Sequence, residues 1–337
     1  MTDMAEGAIN LDYAIRRIVT GHDAAGKAII TMDGPAPHQN SRGGVISTLI
    51  WGSDESPAEV WTGEDFGARE NILEPPPNGS WFRVVEFPAA GPGRMHRTDT
   101  VDYVVCMSGE IDMELDDGAT IHMAAGDVMV QQGTYHSWIN RGTEPCRIAF
   151  CLIDAKRQPG GGLTGPGPQP LAPILPVPDG TVLPASPLRR IVTTHDSSGK
   201  AIIMHDGLAP QRVLRPRGNV GTLVWGSDAT PAEIWSAEDF GIRDNEIEPP
   251  PQGSWFRIID YPPGPGRMHR TDSVDFIFVV SGEIDMELDD GAEVHLNTGD
   301  VMVQQGTNHS WWNRGAETAR LVIVLMDSKP GGLPITA

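Results

Sequence analysis

Residues 96–142 read HRTDTVDYVVCMSGEIDMELDDGATIHMAAGDVMVQQGTYHSWINRG, and residues 269–315 read HRTDSVDFIFVVSGEIDMELDDGAEVHLNTGDVMVQQGTNHSWWNRG. Aligned without gaps, 34 of the 47 positions are identical. A match that long is an internal duplication, and it fixes the number of folding units before any local pattern is read. The echo runs outward from it. RRIVTGHD at 16–23 returns as RRIVTTHD at 189–196, an offset of 173 residues, while Trp51, Trp61 and Trp81 return as Trp225, Trp235 and Trp255 at 174. The 337 residues therefore divide into units at 10–156 and 183–331. Residues 157–182 join them, and their PGGGLTGPGPQPLAPILPVPDG core is too rich in proline and glycine for a helix or a central strand. Such a linker is expected to run extended and semi-rigid.

Inside each unit the hydrophobic period is two. In EIDMELDDG, Ile111, Met113 and Leu115 alternate with Asp112, Glu114 and Asp116, the mark of a strand with one wet face, closed by Asp117 and Gly118. VISTLIW, WFRVVEF, DYVVCMSG, TIHMA, DVMVQQ and RIAFCLID add strands at short, regular spacing. GEDFGARE at 63–70 is the one candidate for a helical turn. The fold class is all-β, a sandwich or barrel in each half.

Composition narrows the function. Hydrophobic residues at 39% and charged residues at 21% suit a folded globular protein, and a net charge of -20, from 25 Lys+Arg and 45 Asp+Glu, repels nucleic acid and anionic bilayers. No run of about 18 apolar residues is present, and MTDMAEGAIN lacks a signal peptide's basic and apolar regions. These features predict a cytoplasmic protein with a small-molecule partner, no nucleic acid and no membrane. Cys106, Cys146 and Cys151 match no zinc or redox spacing and are expected to be small core hydrophobes, since Val279, Ala319 and Val324 replace them in the repeat. The tryptophans at 51, 61 and 81 and their repeats are assigned to the core and the domain interface.

Eight of the ten histidines form repeat-equivalent pairs: His22 and His195, His96 and His269, His122 and His295, His136 and His309. In MHRTDTVD, His96, Thr98 and Asp102 stand at even separations, so an extended strand points all three to one face. GTYHSWIN supplies His136. Two imidazoles and a carboxylate converging in a barrel make a three-point metal site with open positions, and His269, Asp275 and His309 make its twin. Arg94 and Arg267 precede the first histidine by two residues, which aims a carboxylate-binding guanidinium at the same face. Trp138 and Trp311, two residues beyond the second histidine, either wall a substrate pocket or pack the core. His22, His195, His122 and His295 are expected to be solvated or structural.

These segments resemble the two motifs of the cupin superfamily, and the doubled chain resembles a bicupin. His96, Thr98 in the second histidine position, Asp102 in the glutamate position and Gly109 match the first motif. Gly126, Asp127, Gly133, His136 and Asn140 match the second, with Gln131 where proline is usual. The resemblance implies two tandem double-stranded β-helix (jelly-roll) barrels, small-molecule chemistry and a homodimer. Threonine at 98 and 271 removes one histidine ligand per barrel and leaves a two-histidine, one-carboxylate set beside a pocket that includes Thr98, Trp138, Thr271 and Trp311. That set resembles non-haem iron oxygenases and also suits zinc, manganese or nickel as a Lewis acid. The leading expectation is a metal-dependent, dioxygenase-like oxidation of a small acidic or phenolic compound, steered by Arg94 or Arg267. A metal-dependent lyase, decarboxylase or isomerase is the alternative, and a non-catalytic small-molecule-binding barrel the third reading.

Overall fold

The computed structural model describes residues 14–70, 73–157, 187–243 and 247–330. The linker expected at 157–182 lies outside them, apart from its first residue. The N-terminal half carries β1 (Arg16–His22), β2 (Ala28–Pro35), β3 (His38–Arg42), β4 (Val45–Ser53), β5 (Ser80–Phe87), β6 (Thr100–Ser108), β7 (Glu110–Leu115), β8 (Thr120–Ala124), β9 (Val128–Gln132), β10 (His136–Ile139) and β11 (Cys146–Asp154). The C-terminal half repeats them as β12 (Arg189–His195), β13 (Ala201–Leu208), β14 (Gln211–Leu214), β15 (Val220–Ser227), β16 (Ser254–Tyr261), β17 (Ser273–Ser281), β18 (Glu283–Leu288), β19 (Glu293–Asn297), β20 (Val301–Gln305), β21 (His309–Trp312) and β22 (Ala319–Asp327). GEDFGARE forms one 3-10 turn, Phe66–Ala68, capped by Asp65, whose carboxylate accepts the Gly67 N–H at 2.9 Å.

Each barrel sets an eight-stranded sheet against a three-stranded one, ordered β13-β12-β9-β6-β11-β5-β4-β3 and β10-β7-β8 in the first. Leu49, Trp81, Val104, Ile111, Met123, Met129, Trp138 and Phe150 fill the space between them. Strand parity then assigns the faces. In β6, Val104 and Cys106 belong to this barrel core, whereas Val101, Tyr103 and Val105 belong to a second apolar layer shared by both halves. Phe82 stacks on Phe276 and Tyr103 on Phe256 across that layer, with centroids 5.1 and 4.9 Å apart.

The sheets do not stop at the linker. β12 pairs in parallel with β9 of the first barrel, Ile191 opposite Met129, and β1 pairs with β20 of the second, Ile18 opposite Met302. Each half thus completes the other's eight-stranded sheet with its own first hairpin. The adjacent apolar pair in RRIV explains the capacity: Ile18 enters the second barrel core and Val19 the shared layer, so β1 is buried on both faces.

The three cysteines are free and buried, Cys106 and Cys146 with sulfurs 3.8 Å apart in the barrel and Cys151 in the shared layer. Trp51, Trp225 and Trp235 also fill the shared layer, with Trp61 packed against it, while Trp81 and Trp255 lie in the barrel cores. No helix among the described residues is long and apolar enough to cross a membrane.

Candidate functional site

His96 and His136 meet in the first barrel. An isolated bridge joins their backbones through two 2.9 Å hydrogen bonds, and the ring centroids stand 4.4 Å apart. His96 Nδ1 lies 2.8 Å from the Arg94 carbonyl oxygen and His136 Nδ1 2.9 Å from that of Thr134. A carbonyl only accepts, so both Nδ1 atoms carry a proton, and the neutral tautomer that fits these bonds has its lone pair on Nε2. Burial, with the neighbouring His96 ring, pushes His136 down to about 3. His309 is likewise held at about 3, and its partner His269 is lowered by burial. Their centroids are 4.3 Å apart.

Asp102 is buried on the barrel-facing side of β6 and is pushed up to about 7 by that burial, against the opposing pull of the Thr100 hydroxyl and Arg83. Thr100 donates to its Oδ1 at 2.6 Å, so the 2.7 Å contact between Thr98 and Thr100 has Thr98 as donor. Thr271, Ser273 and Asp275 repeat this chain at 2.7 and 2.5 Å, and Asp275 is also raised to about 7.

The imidazoles come together, but the carboxylate does not join them. No three His, Cys, Asp or Glu side chains among the described residues are grouped to hold one cation. Aspartate is one methylene shorter than the glutamate of the family motif, and its oxygen is engaged by Thr100. Two imidazoles fall short of the three protein ligands of an open catalytic metal site, so the residues present do not fit the expected set His96, Asp102, His136 or its twin His269, Asp275, His309.

The arginine expectation is corrected too. Residues 88–99 form no strand, only the bridge at His96, so parity does not aim Arg94 inward. Arg94 and Arg267 are exposed; the Arg267 carbonyl accepts from His269 Nδ1 at 2.9 Å, and its guanidinium acts on His269 only as a nearby positive charge. Two buried guanidiniums do share the strand parity of the barrel-core tryptophans, Arg83 in β5 and Arg257 in β16, each lowered to about 10 by burial and still charged at neutral pH. Their signal was present in WFRVVEF and WFRIIDY, where Trp81 and Trp255 face the barrel cores two residues away. Arg257 donates through Nη1 to the Ile247 carbonyl at 2.8 Å, and its Nε and Nη2 have no hydrogen-bond partner. Opposite Asp102 and Asp275 on the neighbouring strands stand Gln131 and Gln304, buried, with both amide atoms unpartnered.

Trp138 and Trp311 are buried and meet His136 and His309 edge-on at 6.0 and 5.9 Å; Trp138 also packs on Phe150, so these rings back the histidines from within the core. His122 and His295 are exposed and pair with Asp112 and Asp285 at 2.8 Å. His22 and His195 stack on Trp61 and Trp235 at 3.8 and 4.1 Å.

The two shifted groups oppose one another in the pH dependence of stability. His136 and His309 are uncharged in the folded barrel down to about 3 and charge below 6.5 when unfolded, which favours folding as pH rises through that window. Asp102 and Asp275 hold their protons up to about 7 when folded and only to 3.8 when unfolded, a contribution fully present at low pH and lost as pH rises. In urea titrations at successive pH, the Asp102→Asn, Asp275→Asn double variant should therefore gain stability relative to the parent between pH 4 and 7, by about 1 kcal/mol per pH unit per site. A difference that stays flat across that range contradicts the raised carboxyls.

Two jelly-roll barrels in one chain, each with a histidine pair and a polar interior, define a bicupin. The sequence profile of the cupin domain matches residues 83–153 and 257–325. A phomopsin biosynthesis cluster protein of Diaporthe leptostromiformis is 38% identical over 152 residues, 42% of this chain and 79% of that protein. A cupin-domain-containing oxidoreductase of Hypocrea virens is 34% identical over 149 residues, 42% of this chain and 76% of that protein. A solved structure from Pseudomonas aeruginosa, a "Putative Glyoxylate Induced Protein", shares the fold with a TM-score of 0.50 at 12% identity, covering 88% of this chain and 87% of that one. The chain belongs to the cupin family.

Proposed function

We propose that the chain is a cupin enzyme with two equivalent active sites, one in each barrel, that bind a compact carboxylate or phenol and move a proton on it, as an isomerase or lyase does. The observation that carries this reading is a polar interior built twice, with an unpartnered glutamine amide in each barrel and an unpartnered guanidinium edge in the second. Gln131, Gln304 and the Nε and Nη2 of Arg257 are buried with no hydrogen-bond partner, beside cores of aliphatic, aromatic and sulfur-containing side chains. Each such group costs about 1–3 kcal/mol when it stays unmatched, and a bound anion removes the penalty. The Nε and Nη2 edge of Arg257 suits bidentate capture of a carboxylate. The glutamine amide then holds a carbonyl or hydroxyl oxygen. Asp102 or Asp275, with a carboxyl poised near neutrality, takes the proton from carbon and returns it to a neighbouring atom. The neutral imidazoles orient the substrate through Nε2, and the surrounding apolar core excludes water.

A second reading is oxidation of the same class of compound. It is favoured by the relatives named cupin-domain-containing oxidoreductases, in Aspergillus ruber and Hypocrea virens, and by the open Nε2 atoms of the histidine pairs. It requires a divalent metal, iron first and otherwise manganese, nickel or zinc, together with a ligand beyond the two imidazoles that each barrel supplies.

Turnover of a panel of phenolic and keto acids in deuterated water, with and without oxygen, separates the readings when paired with elemental analysis of the protein as purified. Deuterium entering substrate or product without oxygen is the expected result. Turnover that stops without oxygen, in protein carrying stoichiometric iron, overturns it in favour of oxidation. Binding with no turnover under either condition leaves a non-catalytic barrel.

A further inference from the structure

The strand β9 ends at Gln132, and the next four residues carry the chain to His136. What holds that short stretch in place belongs to the other half of the molecule. β12 lies beside β9, and its last turn of contacts reaches past the end of the ladder. The Thr193 carbonyl accepts from Gln132 Nε2 at 2.9 Å, and the Thr193 hydroxyl meets that of Thr134 at 3.0 Å. The His195 ring lies near the Gly133 carbonyl, whose oxygen favours its protonated form. His136 in turn donates its Nδ1 proton to the Thr134 carbonyl. Only two links therefore separate Thr193 from the imidazole of His136. Thr134 and Thr193 are fully buried, so water does not substitute for these bonds.

The second barrel repeats the device with the halves exchanged. Gln305 Nε2 donates to the Thr20 carbonyl at 2.8 Å, the Thr20 and Thr307 hydroxyls are 2.9 Å apart, and the His22 ring lies near the Gly306 carbonyl. His309 Nδ1 donates to the Thr307 carbonyl at 2.9 Å. Gly133 and Gly306 both take φ of 57°, a left-handed turn that glycine adopts without strain and that swings the following threonine toward the foreign strand. His22 and His195 are themselves held by stacking on Trp61 and Trp235.

We infer that Thr193 and His195 are positioning residues for His136 of the first barrel, and Thr20 and His22 for His309 of the second, so that each half sets the geometry of the other half's site. The inference takes His136 and His309 as site residues, as the proposed function does, but needs no reaction.

Its test is nuclear magnetic resonance of the histidine ring nitrogens in the full-length, metal-free chain at pH 7, with His136 and His309 assigned from His136→Gln and His309→Gln. Thr193→Val removes a hydroxyl and keeps the shape; it should move the ring nitrogens of His136 beyond their linewidths and leave those of His309 in place. Thr20→Val should do the reverse, and Thr193→Ser should return His136 to its parent position. His195→Phe keeps the stack on Trp235 while removing the ring nitrogens beside the Gly133 carbonyl, and it should also move His136, which preserves the test if Thr193→Val fails to fold. Shifts confined to the histidine of the mutated half, equal shifts in both barrels, or none in either would overturn the inference. Because the readout is not activity, it stands or falls apart from the proposed chemistry.

Discussion

Replacing Asp102 and Asp275 together by asparagine should lower turnover by about 10²–10⁴-fold, the usual share of a positioned acid–base group. Asparagine keeps the size of the side chain and an oxygen to accept from Thr100 or Ser273, so the chain of hydroxyls from Thr98 and Thr271 persists. What it loses is the ability to carry a proton. Asp102 and Asp275 stand near 7 because burial disfavours the anion more strongly than one hydroxyl and one buried guanidinium favour it. The single variants separate the barrels. Each should leave the other site's share of turnover intact, and the residual activity of either should keep a pH limb near 7 that the double variant lacks. A double variant as active as the parent would remove both carboxyls from the mechanism.

Removing the guanidinium of Arg190 should cost about 3–5 kcal/mol of stability, the range for breaking a buried ion pair from one side. Arg190 is fully buried on β12 and grips Asp239 bidentately, Nη1 to Oδ1 at 2.7 Å and Nη2 to Oδ2 at 2.6 Å, while Nη1 also reaches the Val224 carbonyl. This pair ties the exchanged hairpin back to its own half, and Arg17 with Asp65 does the same for β1. Gly241 admits the guanidinium, since a Cβ there would stand 2.0 Å from Nη1. Arg190→Ala leaves Asp239 with a charge it cannot fully expose. Arg243→Ala is the contrast: its partners Asp228 and Glu238 are more than half exposed, and the loss should be about 0–1 kcal/mol. Urea denaturation of both variants decides the matter, and equal losses would contradict the structural reading of Arg190.

Local pattern carried most of the fold. The two-residue period of EIDMELDDG and the duplicated motifs appear as the strands β7 and β18 and as two matching barrels. The exchange of hairpins was not legible, because RRIVTGHD and RRIVTTHD are nearly the same words and nothing local says which barrel each completes. At the site, parity succeeded where the backbone is a strand and failed where it is not. From Thr100 to Asp102 it holds, and a hydrogen bond links the two residues. At Arg94 the backbone is irregular, so counting by twos placed an exposed side chain in the pocket. Gln131 stood out only as a departure from the family's proline; that the departure recurs at Gln304 was the usable sign of an interior amide. The carboxylates do not group with the paired imidazoles among the described residues, and aspartate is one methylene shorter than the glutamate of the family motif.

Calorimetric titration with a phenolic or keto acid from the panel tests the central claim, that each barrel interior is an anion-binding active site anchored by its buried arginine. The parent should bind two equivalents per chain, Arg83→Met and Arg257→Met one each, and their combination none, whereas Arg94→Met and Arg267→Met should keep both. Two equivalents retained after loss of both buried arginines, or lost with the exposed pair instead, would contradict the account.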